Sequence, residues 1–316
     1  MKSKPHDSGN LSVSKNGPQG SSYDRSKKRK RHRKPLRRFR KFLGAKLTDL
    51  ACYVLPALYL TYLKLVSRTS QVSGHQSNPF QTFVREGQSL VNVLWHQDAF
   101  LMPYFLRDFR FSALASTGTL GRIVSVLMEA LNMQVFRGGR KRHYILRDMI
   151  HYMSSNDAAQ YGLTVDGSKG PPRVLKQGAC RIARNCGKAV FITHTQAKYN
   201  IYLPTWDRLA IPLPFNRIVT SAVGPYWIEP NSSRERFQQF CQHIEQEMLE
   251  LTFHTDGKLH ECAGKSSVTK DFPSNWNGPL WENHQMGRAF SEWDLQSDRM
   301  PPWTSVNSSE ARVVGT

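Results

Sequence analysis

The stretch that best predicts the fold is Ser89-Leu-Val-Asn-Val-Leu-Trp95, followed directly by His96-Gln97-Asp98. Residues 89–95 are almost continuously apolar and include β-branched and aromatic side chains, a pattern typical of a strand buried on both faces. Polar residues follow at once, and the first of them is a histidine. Ligands of parallel α/β sheets bind beyond the carboxyl ends of the strands. The stretch therefore predicts a buried strand with candidate functional residues at its end.

Similar apolar runs alternate with helical patterns on both sides of this stretch. Further strands are predicted at residues 111–115, 133–136, 161–165 and 189–193, and helices at 100–109, 121–131, 144–153, 174–186 and 237–251. Alternation of strands and helices is typical of an α/β domain. We expect a largely parallel central sheet flanked by helices, in one domain that covers residues 46–254.

Both ends of the chain differ from this domain in composition. Residues 1–45 are polar and strongly basic, because residues 1–46 carry 16 Lys and Arg against two acidic residues. Residues 255–316 are rich in Ser, Asn and Pro, without apolar periodicity. We predict a disordered basic tail at 1–45 and a flexible tail at 255–316. The overall charge of +20 thus indicates an anionic partner more than it describes the fold.

An apolar, tyrosine-containing segment at residues 50–63 follows the basic run of residues 27–41. It is shorter than the roughly 20 residues of a membrane-crossing helix, and it contains Pro56. A basic run beside an apolar helix is typical of binding to an anionic membrane surface. We predict a membrane-interfacial helix at 47–66, and the alternative is a core helix beside a solvated tail. No secretory signal is expected, since no cleavage pattern follows the apolar run.

The basic run is also compatible with nucleic acid, because phosphate contacts require only clustered Lys and Arg. Few aromatic residues are interleaved with it and no recognition motif follows, so nucleic acid remains the alternative partner. The five cysteines, at positions 52, 180, 186, 241 and 262, form no CxxC pair. Such usage favours reduced thiols in the cytoplasm and indicates no metal site.

Two further loops after predicted strands carry groups that could bind substrate. The first is Phe136-Arg-Gly-Gly-Arg-Lys-Arg142 and the second is Asp166-Gly-Ser-Lys-Gly-Pro-Pro172. An imidazole such as that of His96 can take a proton from an alcohol, while cations and backbone amides hold phosphate or carboxylate groups. Each loop alone could equally be structural. Serine-hydrolase, phosphate-loop and dinucleotide-binding motifs do not occur in the sequence.

The order of these motifs resembles the lysophospholipid acyltransferase superfamily, and most of all a bacterial branch catalogued as a domain of unknown function (DUF374). The matching pieces are Leu94-Trp-His96, Phe136-Arg-Gly138, Asp166-Gly-Ser-Lys-Gly-Pro171 and Trp206-Asp-Arg-Leu-Ala-Ile-Pro-Leu-Pro-Phe215. The resemblance covers approximately residues 55–250. It implies a glycerolipid acyltransferase-like fold.

The resemblance also implies a function, which is transfer of an acyl group from acyl-CoA or acyl carrier protein to a hydroxyl of a lysophospholipid or lipid-A-like acceptor. By the same resemblance His96 is the general base, and the acceptor's polar head is bound by Arg137, Gly138, Asp166, Gly167 and Lys169. The thioester is a co-substrate, so no cofactor or metal is expected. The expected partners are membrane lipids at an anionic surface, on the cytoplasmic face of the cell membrane, with the protein peripheral or monotopic. A protein of the same fold that binds lipid without turnover is the alternative.

One departure concerns the carboxylate that orients the histidine. The superfamily pattern is His-x-x-x-x-Asp, but Leu101 stands at the last position here, as in much of the DUF374-like branch. Asp98 is the nearest acidic residue and a candidate catalytic residue, although it is also suited to cap a helix at 99–107. Asp166, brought in from another strand end, is the other candidate partner of His96.

Overall fold

The computed structural model describes residues 33–74, 79–138 and 142–260. The chain divides into two units, Met1–Leu47 and Thr48–Thr316. Of the first unit, the described residues form the beginning of a long helix. Within the described residues, the second unit contains the rest of that helix and every other element.

The helices alternate with strands along the chain. The α-helices are α1 (Arg33–Thr69), α2 (Pro79–Arg85), α3 (Met102–Leu106), α4 (Thr119–Glu129), α5 (Arg142–Ser154), α6 (Gly178–Cys186) and α7 (Arg234–His260). The strands are β1 (Gln71–Ser73), β2 (Leu90–Leu94), β3 (Ser112–Ser116), β4 (Gln134–Gly138), β5 (Gln160–Thr164), β6 (Ala189–Ala197), β7 (Asn200–Tyr202), β8 (Ala210–Pro212) and β9 (Arg217–Tyr226). Two short 3₁₀ helices, His96–Phe100 and Arg107–Phe109, flank α3.

Among the described residues, seven strands form one sheet in the order β1-β9-β6-β2-β5-β3-β4, and β7 and β8 form a separate antiparallel pair. Strands β6, β2, β5, β3 and β4 run parallel, whereas β9 is antiparallel to β6. The predicted α/β class with a largely parallel sheet is confirmed. The sequence patterns did not predict β9 or β1, which extend the sheet beyond β6.

The two faces of the sheet are covered by two apolar cores, and β2 contributes to both. Val91, Val93 and Trp95 belong to the core beneath α5, α6 and α7. Leu90 and Leu94 belong to the core beneath α1, α2, α3 and α4. Because alternate residues of a strand point to opposite faces, a strand covered on both sides is apolar throughout. This explains the apolar run from which the strand was predicted.

Glycines set two of the junctions between helices and strands. A Cβ atom at Gly121 would lie 1.9 Å from the carbonyl oxygen of Ser116, so only glycine lets α4 begin this close to the end of β3. Gly187 ends α6 with φ +60°, and the backbone N–H of Lys188 donates to the carbonyl of Ala183. This left-handed ending is the usual helix C-cap that glycine provides.

Helix α1 is longer than the predicted interfacial helix at 47–66. Its segment Gly44–Thr69 contains 26 residues, includes an 18-residue window with a mean hydropathy of 1.5, and is long and apolar enough to cross a membrane. This statement concerns length and composition alone. The helix continues past the 50–63 run on both sides, and the membrane-interfacial helix at 47–66 stays a prediction. Pro56 lies inside the helix without ending it.

Other predicted boundaries change at the ends of the domain. The chain is helical from Arg33, so residues 33–45 are not part of a disordered tail. Helix α7 continues to His260, six residues past the predicted domain end, with Thr255 and Leu259 buried. The remaining predicted tails, residues 1–32 and 261–316, lie outside the described residues.

Candidate active site

His96 and Asp166 come together through the register of two neighbouring parallel strands. Leu94, the last residue of β2, pairs with Thr164, the last residue of β5. His96 and Asp166 each lie two residues beyond this pair. The backbone N–H of Val165 donates to the carbonyl of Leu94 at 3.1 Å, which continues the ladder past the strand ends. Both side chains therefore lie side by side at the carboxyl edge of the sheet, where ligands bind in this fold class.

The imidazole of His96 is held by a carboxylate on one side and is accessible on the other. Its Nδ1 lies 2.9 Å from Oδ1 of Asp166, and the same oxygen accepts the backbone N–H of His96 at 3.0 Å. A carboxylate accepts but does not donate, so Nδ1 carries a proton, and in the neutral imidazole Nε2 is the acceptor nitrogen. The Thr164 hydroxyl lies 3.4 Å from Nε2. The side chain of His96 is 22% exposed while that of Asp166 is 2% exposed, so the ring can be reached from outside.

Asp98 faces away from this pair. It lies inside the 3₁₀ helix His96–Phe100, in which each residue turns the chain by roughly 120°. Its Oδ2 lies 2.8 Å from Nδ1 of His194, and its side chain is buried. The expected helix cap is wrong, because α3 begins at Met102 and its N-cap is Leu101. The orienting carboxylate at His96 is Asp166, the other candidate.

A second buried cluster forms around His194, on β6. Asp98 and Asp256 lie on its two sides, with Oδ1 of Asp256 3.7 Å from Nε2. Burial disfavours the imidazolium, but the charge of Asp98, its hydrogen bond and the nearby Asp256 outweigh burial and raise the pKa of His194 to about 9. Oδ1 of Asp98 and Nε2 of His194 have no hydrogen-bond partner among the described residues. Burial raises the pKa of Asp98 as well, so the cluster is a buried histidine–carboxylate pair inside the domain rather than part of the accessible site.

Arg173 connects the loop after β5 with the segment that follows His96. It is buried, and its backbone N–H donates to Oδ2 of Asp166 at 3.4 Å. Its guanidinium donates to Oε1 of Gln97 at 2.8 Å. Its φ of +56° is unusual for a residue with a side chain. Arg173 therefore holds the Asp166 loop against the residue next to His96, which fixes the carboxylate relative to the ring.

Trp206 covers the His96 ring from the loop between β7 and β8. The two ring centroids are 5.1 Å apart. The same indole packs on Gly170, where an added Cβ would lie 2.6 Å from the Trp206 ring. The amide of Gln97 donates to the carbonyl of Arg208 at 3.4 Å, which attaches the same loop to the site. The β7–β8 loop thus forms one wall of the site.

The residues expected to bind the acceptor lie in the loop after β5 and on the edge strand β4. Gly167 follows Asp166 with φ +71°, and a Cβ there would lie 2.9 Å from the Lys176 side chain. Lys169 is exposed in the same loop. Arg137 is exposed on the edge strand β4, two strands from β5, and Gly138 packs under Ile145. Within the described residues, Arg137 and Lys169 have no hydrogen bond or ion pair with His96 or Asp166, and residues 139–141 lie outside the description.

Several site residues were not assigned a role from the sequence. Trp206 occurs in a stretch that resembles the acyltransferase superfamily, which was the available signal for it, and Arg173 and Lys176 lie just beyond another such stretch. Their contacts depend on loop geometry that periodicity does not encode. Lys176 donates to the carbonyl of Gly170 at 2.8 Å and so stiffens the loop that begins with Asp166. In the described part of the chain, no three His, Cys, Asp or Glu residues are grouped to hold a metal ion.

Comparisons with known proteins find few similar chains. No protein-family model matches the chain. It is 29% identical over 189 residues to the uncharacterized protein RP090 of Rickettsia prowazekii (strain Madrid E), covering 59% of this chain and 84% of that protein. Among solved structures, it is similar to the 1-acyl-sn-glycerophosphate (LPA) acyltransferase PlsC from Thermotoga maritima, with a TM-score of 0.37 and 15% identity. That match covers 72% of this chain and 88% of the other.

Proposed function

We propose that the chain is an acyltransferase that moves an acyl group from acyl-CoA or acyl carrier protein to a hydroxyl of a lysophospholipid or lipid-A-like acceptor. The observation that carries the proposal is the His96–Asp166 pair at the carboxyl edge of the sheet. Its 2.9 Å contact assigns the proton of a neutral imidazole to Nδ1, so that Nε2 is the acceptor nitrogen, and the ring is accessible. The order of motifs around it, which resembles lysophospholipid acyltransferases, supports the choice of reaction.

The chemistry follows from the two ring nitrogens. Nε2 of His96 takes the proton of the acceptor hydroxyl while its oxygen attacks the thioester carbonyl. Asp166 stabilises the imidazolium that forms, because it accepts the Nδ1 proton as a carboxylate. The tetrahedral intermediate collapses, the C–S bond breaks, and the thiolate leaves with the proton returned by the imidazolium. General-base catalysis contributes typically 10²–10⁴-fold to such a step, and positioning of the two substrates supplies the rest.

Cations around the site suit an acceptor with an anionic head. Lys169 is exposed in the loop that begins with Asp166, and Arg137 is exposed on β4. Phosphate oxygens are strong acceptors for Arg and Lys donors. We propose that Arg137, Gly138, Gly167 and Lys169 bind the head group of the acceptor while His96 acts on its hydroxyl. The proposed reaction needs neither a cofactor nor a metal, because the thioester donor is already activated.

The apolar part of α1 supports a location at the membrane. The segment Gly44–Thr69 meets the length and hydropathy of a membrane helix. The basic run at residues 27–41 would strengthen binding to an anionic leaflet, because each Lys or Arg near such a surface adds on the order of 1 kcal/mol. We propose that the protein acts at the cytoplasmic face of the cell membrane.

The proposal can be tested with the full-length chain in proteoliposomes. Radiolabelled acyl-CoA and acyl carrier protein thioesters are offered with a panel of lysophospholipids and lipid-A precursors, and the acylated product is measured. The wild type is expected to acylate at least one acceptor, and His96→Ala to lose at least 10²-fold in rate. His151→Ala is the matched control, since His151 is an exposed histidine on α5, and it should retain full activity.

The alternatives predict other results in the same preparation. A wild type that transfers no acyl group from any thioester, yet binds lipid equally well in His96→Ala, would be a lipid-binding protein without turnover. Binding to duplex DNA or RNA that weakens steeply with salt and disappears on deletion of residues 1–46 would indicate a nucleic-acid partner. Either result, without acyl transfer, contradicts the proposal.

A further inference from the structure

The β7–β8 hairpin and the residues after it expose large apolar side chains. Tyr199 and Ile201 are each 53% exposed, and Phe215 is 79% exposed. Tyr202 and Leu213 are also exposed. Single exposed apolar residues are normal on a protein surface, but a group of them marks a contact surface. We call residues 199–202 and 213–215 the hairpin surface.

The hairpin surface stands on a rigid base. Asn216 is buried, and its side-chain amide donates to the carbonyl oxygens of Tyr199 at 2.6 Å and Leu213 at 3.0 Å. Its Oδ1 accepts the backbone N–H groups of Tyr199 and Arg217. Because a single side chain closes both ends of the hairpin, the apolar residues are held outward instead of folding onto the domain. Their exposure is therefore a fixed property of the domain.

This surface is continuous with the end of α1. The hydroxyl of Tyr62 donates to the carbonyl of Pro212 at 2.6 Å, and the backbone N–H of Phe215 donates to the hydroxyl of Thr69 at 3.1 Å. Earlier on the same helix, Tyr53 is 85% exposed. Since α1 rises about 1.5 Å per residue, the contacts at 62–69 lie roughly 14–24 Å along the helix from Tyr53. The hairpin thus lies beside the final turns of the apolar helix.

The charges around the hairpin complement an anionic surface. Residues 198–217 contain Lys198, Arg208 and Arg217 but only one acidic residue, Asp207. Lys64 and Arg68 are exposed on the last turns of α1 nearby. Tyrosine and other aromatic side chains are enriched at the interface between membrane and water, and Lys and Arg extend their charged ends to lipid head groups. Exposed aromatic side chains together with Lys and Arg, beside the end of the apolar helix α1, fit a lipid surface better than a protein partner.

We propose that the hairpin surface is a second membrane contact, which docks on an anionic bilayer beside the C-terminal end of α1. The inference rests on the proposed function at the membrane, and it deepens that function. Trp206, in the loop of the same hairpin, covers His96. Docking of the hairpin therefore places the mouth of the His96 site at the level of the lipid head groups, where a lysolipid presents its hydroxyl.

The experiment replaces one residue at a time by the photoreactive amino acid p-benzoylphenylalanine in the full-length chain. Tyr199 and Phe215 report on the hairpin surface, and Tyr53 reports on α1. Asn185 is the exposed control near the C-terminal end of α6, just before β6 begins, whereas the hairpin follows the other end of β6. Vesicles contain phosphatidylcholine and phosphatidylglycerol with a radiolabelled acyl chain. After illumination, the lipid label attached to the protein is counted.

The expected result is lipid attachment at positions 199 and 215 at least tenfold above position 185. Labelling at 53 with only background at 199 and 215 would overturn the inference and leave α1 as the membrane contact. The variant Tyr199→Ser/Ile201→Ser/Phe215→Ser should acylate a bilayer-embedded acceptor at least tenfold more slowly than the wild type, with an unchanged rate on a water-soluble short-chain acceptor. Equal rates on both acceptors would also overturn it. If the wild type is inert on every acceptor, the proposed function fails, but the lipid attachment still decides the docking question.

Discussion

Substitution of Asp166 by Asn tests the central geometry, because it changes the charge of the group that holds His96 and almost nothing else. Oδ1 of Asp166 accepts two N–H groups, at 2.9 Å and 3.0 Å, whereas Oδ2 accepts one at 3.4 Å. An asparagine therefore keeps its carbonyl oxygen at the Oδ1 position, where two donors require an acceptor. The ring stays in the same tautomer, while the negative charge and the 3.4 Å hydrogen bond from the Arg173 backbone N–H to Oδ2 are lost.

The magnitude follows from the difference between charged and neutral hydrogen bonds. A bond to a charged group contributes about 1.5–3 kcal/mol and a neutral one about 0.5–1.5 kcal/mol, so the difference between the middles of these ranges, about 1.2 kcal/mol, is the stabilisation that the imidazolium loses. That difference lowers kcat about tenfold. Asp166→Ala removes the acceptor entirely and leaves the ring without orientation, so its loss should be larger, on the order of 10²-fold or more.

The assay follows release of the CoA thiol with a chromogenic disulfide in proteoliposomes at saturating acceptor. kcat should fall in the order wild type, Asp166→Asn, Asp166→Ala. Asp148→Asn, an exposed carboxylate on α5, is the matched control and should retain the wild-type rate. Wild-type kcat in Asp166→Asn would refute the reasoning, because the carboxylate would then have no role in holding the imidazolium.

Other predictions concern stability. Gly170→Ala should lower the free energy of unfolding by more than Gly187→Ala. Both glycines have positive φ, where alanine costs about 1–2 kcal/mol, but only at position 170 would the new Cβ also clash with the Trp206 ring, at 2.6 Å. Equal losses of unfolding free energy in urea would contradict this. The pKa of His194 is raised from 6.5 to about 9, so its contribution to the free energy of unfolding is complete below pH 6.5 and is lost as the pH rises toward 9. Urea unfolding in detergent at pH 6.5 and 9.5 should show this loss in the wild type but not in His194→Gln. Asn216→Ala removes the hydrogen bonds at the hairpin base and should lower the free energy of unfolding by about 2–4 kcal/mol. Hydrogen exchange at residues 199–215 should be faster than in the wild type. Unchanged exchange would show that the hairpin does not depend on this amide.

The buried part of the fold could be predicted because its residues follow simple periodicities. The run at Ser89–Trp95 is apolar on both faces and gave β2, and the stripe of Phe240, Ile244 and Met248 predicted the helix that became α7. Strand β9 was missed because exposed and half-buried residues such as Ser221 interrupt its apolar pattern. Strand β1, of three residues, is too short for any period to be recognised.

Contacts between loops were harder to predict than strands. Asp166 and Asp98 were both candidate partners of His96, because the spacing of residues in the sequence does not show which loops lie next to each other. The register of β2 and β5 decides the matter, and register depends on the whole sheet. The same holds for Arg173 and Trp206, whose positions depend on a left-handed residue and on a glycine that leaves room for the indole.

The position of Asp166 on a separate strand has a consequence for residue 101. A carboxylate five residues after the histidine would have to remain polar and turned toward the ring. Here Leu101 is buried in the core beneath α1, α2, α3 and α4, so position 101 serves packing alone. His96 and Asp166 are 70 residues apart in sequence, so they meet only while the middle of the sheet is intact. Because β2 and β5 lie in the middle of the sheet, where strands open only near global unfolding, activity should be lost together with the fold as the urea concentration rises.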